Sequence, residues 1–105
     1  MVVIVATPTP RQVARSIQDL GESLSAWRRL LGLTTAEVAD RAGVTRKTVE
    51  SLEGGRGSSV DTLMRVVRVL GLTERVLAAV DPMETDLGRA RADQHLPARV
   101  RKARP

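Results

Sequence analysis

The side chains best equipped for chemistry fall in one short stretch: Thr45, Arg46, Lys47, Thr48 and Ser51, with Arg56 following in Gly54-Gly55-Arg56-Gly57-Ser58. An arginine carries a planar fork of N–H donors that fits phosphate oxygens and the O6/N7 edge of guanine, and a lysine carries a compact charge. The hydroxyls of Thr45 and Thr48 are short donors, and Arg56 stands in a loop whose glycines leave it room to reach outward. The rest of the chain offers little for catalysis. With no cysteine, disulfides, thiolate metal sites and cysteine nucleophiles are excluded. The single histidine, His95, cannot build a histidine metal site and reads as solvated. No separated carboxylate pair suits acid–base work. The glycine-rich loop lacks the Lys-Ser/Thr that completes a phosphate-binding P-loop. Neither an enzyme nor a cofactor is expected.

Those side chains need a rigid mount, and the preceding residues supply one. Thr34-Thr35-Ala36-Glu37 fits a capping box that opens a helix whose apolar face is Val38, Ala39 and Ala42. Gly43 ends it with a residue tolerant of positive φ, and Thr45 caps the next helix, expected over about Thr45 to Glu53. Two helices meeting across so short a turn need a small residue where they touch, which is Ala39, and an apolar knob from the second, which is Val49. Leu33, Val38, Val44 and Leu52 complete this small core.

The wider chain is 105 residues with a formal charge of +5, one tryptophan, and no Phe or Tyr. An aliphatic core poor in aromatic residues suits a small helical bundle better than a sheet. The basic balance raises the expectation of a polyanionic partner. Upstream, Val13, Ile17, Leu20, Leu24, Trp27 and Leu31 recur at helical spacing, which predicts one helix from about Pro10 to Leu31 with this stripe in the core. Gly21 is its weak point, and a break there is the competing reading. Downstream, Ser59 caps a fourth helix carrying Val60, Leu63, Met64, Val66, Val67 and Leu70. Thr73 caps a short fifth helix that Asp81-Pro82 stops. Residues 1–9 read as an N-terminal arm with a β-prone run, Val2 to Val5. That run lacks a basic leader and is too short for a signal segment. Residues 10–80 read as the folded domain. Residues 81–105 read as a charged tail, largely disordered by composition, with at most a turn or two of helix within Arg89 to His95.

The run Leu33 to Ala39, followed by Ala42-Gly43-Val44-Thr45-Arg46-Lys47-Thr48-Val49-Glu50-Ser51-Leu52-Glu53, resembles the Xre/Cro-type helix-turn-helix family of phage repressors and bacterial regulators. The resemblance covers roughly Leu20 to Val80, and Leu70-Gly71-Leu72 is similar to the family's end of helix four. It implies an all-α, five-helix fold whose third helix enters the major groove of double-stranded DNA. It places Arg46 and Lys47 at base edges, with Ser51 one turn on, Thr45 and Thr48 at a phosphate or a thymine methyl, and Arg56 at the DNA backbone. It places Thr35, where the family often has Gln, at a phosphate beside the first amides of its helix. It further implies an ion pair between Arg28 and Glu53 that ties helix one to the end of helix three. Glu50 lies near the same face and would repel phosphate. It either reads cytosine N4, excludes wrong sites or serves the structure.

The function expected on this basis is a cytoplasmic transcriptional regulator, most readily a repressor, acting as a homodimer on half-sites about 10 bp apart. Val76, Leu77 and Val80, or the Val2–Val5 arm, are the candidate dimer contacts. Two alternatives stand beside it. One is an antitoxin similar to the HipB type, whose tail would also bind a toxin protein. The other is a protein-interaction module that keeps the fold without DNA binding. No apolar run approaches membrane-spanning length, so no membrane partner is expected.

Overall fold

The structure is a computed structural model that describes residues 7–95. It forms two compact units, one running to Leu72 and one beginning at Thr73. The first holds α1 (Arg11–Leu30), α2 (Thr35–Ala42), α3 (Arg46–Glu53) and α4 (Val60–Val69). The second holds α5 (Thr73–Ala79), a 3-10 turn (Pro82–Glu84) and α6 (Asp86–His95). No strand occurs among the described residues. The expected β-prone arm, Val2 to Val5, lies outside them, as does the basic end from Arg99 onward.

The helix boundaries of the first unit follow from caps. The hydroxyls of Thr34, Thr45 and Ser59 each accept from the backbone amide three residues on. At Thr34 the Glu37 carboxylate returns the contact to the cap amide at 2.8 Å, completing the box. This holds the Glu37 carboxyl below its usual range, chiefly through that backbone donor and then through the Thr34 hydroxyl. Gly43 adopts φ +72, and the Val44 amide donates to the Ala39 carbonyl at 3.1 Å, so α2 ends in a left-handed turn that a side chain would strain.

The core of this unit is aliphatic. Val38 and Val49 are fully buried, and Leu24, Ala39, Ala42, Leu52, Val66, Val67, Leu70 and Leu72 join them. α3 packs on α2 and α1, and α4 packs on α2. Burial of a Val or Leu side chain is worth about 1.5–3 kcal/mol, so this cluster dominates the unit's stability.

Three expectations need correction. First, the α1 stripe is not a continuous core. Leu24 is buried, Ile17 and Trp27 are half-buried, and Val13, Leu20 and Leu31 are exposed. The helix runs unbroken through Gly21, but of the stripe only Leu24, one turn along from the Gly21 contact with α3, is fully covered, and helical spacing cannot show where a partner stops. Val60, assigned to the apolar face of α4, is likewise exposed because it sits at that helix's first turn. Second, the described chain has six α-helices, not five. Third, the segment after Asp81 is ordered as far as His95. Local bonds hold it: Asp81 caps the 3-10 turn, Thr85 accepts from Gly88, and Arg89 donates to the Met83 carbonyl at 2.9 Å. Gly88 sits so close to Pro82 that a Cβ would overlap the Pro82 carbonyl oxygen. Composition missed this because such bonds need no apolar periodicity. Among the described residues no helix is long and apolar enough to cross a membrane.

Candidate nucleic-acid interface

Everything about α3 depends on the corner before it. Gly43-Val44-Thr45 joins α2 to α3, and Thr45 fixes the first turn by accepting from the Thr48 amide at 3.1 Å. The two threonine hydroxyls also lie 2.8 Å apart. If Thr48 donates there, the Thr45 proton stays available to an outside acceptor. Arginines from α4 reinforce the end of α2: Arg65 donates to the Ala42 carbonyl at 3.3 Å and Arg68 to that of Arg41 at 3.5 Å. These two contacts satisfy carbonyls left over at a helix C-terminus, where positive charge is also favoured. Nothing in the sequence marked Arg65 and Arg68 apart from other surface arginines, because their partners lie on another helix.

Packing against α2 and α1 divides α3 into faces. Val49 and Leu52 point inward, Thr48, Ser51 and Glu53 lie on the flanks, and Arg46, Lys47 and Glu50 are exposed. At about 100° per residue, Glu50 falls angularly between Arg46 and Lys47 on the outward face, with Lys47 standing most nearly opposite the buried Val49 and Leu52. Its carboxylate accepts from Arg46 Nε at 3.0 Å. The Lys47 side chain is exposed and makes no hydrogen bond or ion pair among the described residues. Of the residues expected to touch DNA, Arg46, Lys47 and Thr45 are exposed together at the start of α3. Ser51 and Thr48 are half-buried on the flanks. Thr35 is half-buried in the first turn of α2. Arg56 is exposed, its guanidinium lying over Gly54.

The far end of α3 is clamped to α1. Arg28 grips Glu53 with two donors, Nε at 2.7 Å and Nη2 at 3.1 Å, and its Nη1 donates to the Leu33 carbonyl at 2.9 Å. The two side chains are 15% and 11% exposed, and the Glu53 hydrogen bond, outweighing partial burial, raises the Arg28 pKa. Beside this clamp, α1 approaches α3 so closely that a Cβ on Gly21 would overlap the Leu52 carbonyl oxygen and lie 2.7 Å from that of Glu53. Glycine in mid-helix was a weakness when read in isolation. The structure makes it the residue that admits α3. A capped N-terminus, a buried middle and a clamped C-terminus together give α3 one orientation, with its cationic start facing outward.

The helix-turn-helix domain family matches residues 19–80, which take in α1 from Asp19 onward and the whole of α2, α3, α4 and α5. Over 45 residues the chain is 51% identical to an uncharacterised HTH-type transcriptional regulator of Methanothermobacter thermautotrophicus (strain Delta H). That similarity covers 42% of this chain and 65% of the relative, so the chain matches slightly less than two thirds of the relative's length.

Proposed function

Because the chain belongs to the helix-turn-helix domain family, we propose that it is a sequence-specific DNA-binding regulator of transcription that lays α3 in the major groove. The observation that carries this reading is the outward face of α3, where Arg46 and Lys47 project from a helix fixed at both ends. Neither residue is spent on the fold's core, and Arg at a groove-facing helix start is the commonest reader of guanine. The relative's description as a transcriptional regulator agrees with it.

The functional unit is a homodimer. α3 has eight residues, about 12 Å of helix, which spans only three to four base pairs at about 3.4 Å each. Two copies on half-sites about 10 bp apart double that reach. Thr45, Thr48, Ser51, Thr35 and Arg56 position the domain on phosphates, and occupancy of the site represses transcription. The test is selection from a random duplex pool followed by a mobility-shift titration. Enrichment of a two-fold-symmetric motif bound at least a thousandfold more tightly than random DNA is expected. Recovery of no motif, with equal affinity for all duplexes, refutes the proposal.

A further inference from the structure

We infer that Glu50 is a specificity-determining residue that works by positioning Arg46, trading affinity for discrimination. The inference rests on the DNA-reading function proposed above. Glu50 sits on the exposed face of α3 between Arg46 and Lys47, where a carboxylate is repelled by every phosphate that face approaches. A residue that weakens binding at that place needs another role, and the fold does not supply one. The Arg46–Glu50 pair spans one helical turn with side chains 68% and 45% exposed, a setting in which an ion pair contributes little to stability.

What the pair does is geometric. Glu50 accepts from Arg46 Nε, and the two terminal nitrogens of Arg46 make no hydrogen bond among the described residues. The guanidinium is therefore held at its inner edge and presents Nη1 and Nη2 outward as a pair, the arrangement that spans O6 and N7 of guanine end-on. An unrestrained arginine loses rotamer entropy on docking and can drop onto a neighbouring phosphate instead. Tethered to Glu50, Arg46 is ordered before DNA arrives, and the carboxylate disfavours the phosphate alternative. The side chain thus lowers affinity for all DNA and lowers it least where a guanine meets the fork. This differs from Glu50 reading cytosine N4 itself, because the information would pass through Arg46.

The experiment is a double-mutant cycle on the full chain. Wild type, Glu50→Ala, Arg46→Ala and the double variant are titrated against the selected duplex, its single-base variants and random DNA. Thermal melts show that each variant is folded. Glu50→Ala should bind random DNA more tightly than wild type. It should also lose about two- to threefold in discrimination at one base pair, the scale an exposed i,i+4 pair can supply, and this should be the pair whose preference collapses in Arg46→Ala. In the Arg46→Ala background, Glu50→Ala should change no base preference further. If it still relaxes a base pair in that background, Glu50 reads DNA directly and the inference falls. It also falls if Glu50→Ala tightens selected and random DNA equally, because the carboxylate then acts only by repulsion. Failure of wild type to select any motif is a separate result that removes the DNA-reading function itself.

Discussion

Replacing Gly21 with alanine tests the packing on which the orientation of α3 depends, because two effects of opposite sign meet there. In an unencumbered helix interior the change would stabilise by about 0.8–1 kcal/mol, since alanine is the better helix former. Here the added Cβ would overlap the Leu52 carbonyl oxygen and stand 2.7 Å from that of Glu53, against ordinary contact from 3.4 Å. The obstacles are backbone atoms, so no rotamer change relieves them. α1 and the end of α3 must separate by at least about 0.7 Å at Glu53, the difference of those two distances, and by more at Leu52. Overpacking of this kind costs about 1–3 kcal/mol. Its upper end applies here because the same displacement loosens the Arg28–Glu53 clamp. The net expectation is a loss of about 2 kcal/mol, or a fall in Tm of about 8–16 °C for a domain of this size. Urea unfolding and thermal melts, both followed by circular dichroism, with Ser23→Ala on the exposed side of α1 as control, give the two numbers. A Gly21→Ala protein about 1 kcal/mol more stable than wild type would refute the close approach and the orientation of α3 built on it.

Three further outcomes follow from the same geometry. Val49→Ala empties a fully buried site between α3 and its neighbours and should cost about 2–3 kcal/mol in denaturant titration, at the two-methyl end of the core-truncation range. Arg28→Met leaves Glu53 largely buried without its partner. It should cost about 2–3 kcal/mol, below the value for a fully buried pair because some exposure remains, and Arg28→Met with Glu53→Met should recover part of that loss. Glu37 has a folded pKa below its unfolded one, so the stability it contributes is present above the unfolded value and is lost as pH falls through the folded one. A carboxyl NMR titration should show Glu37 protonating later on acidification than a glutamate in an unstructured reference peptide, and Thr34→Gly should narrow the gap.

Much of this was legible in the sequence because it is local. The Thr34–Glu37 box, the Gly43 corner and the Thr45 cap each depend on residues three or four apart, and the chain places them there. What escaped reading depends on long-range contact or on its absence. The stripe from Val13 to Leu31 keeps perfect helical spacing, yet only Leu24 in it is buried. Gly21 looked like a flaw until the Leu52 and Glu53 carbonyls were found against it. α6 carries no apolar periodicity, and its order comes from Thr85, Arg89 and the fit of Gly88 on Pro82. Glu50 was legible as lying near the reading face. Its place between Arg46 and Lys47, bonded to Arg46, became clear only once Val49 and Leu52 fixed the rotation of α3.

The account stands most directly on amide chemical-shift mapping of the 15N-labelled chain during titration with its selected duplex. The largest changes are expected at Thr45, Arg46, Lys47 and Glu50, with smaller ones at Thr35 and Arg56. Changes confined to α5 and α6, with the start of α3 unmoved at saturation, would contradict it.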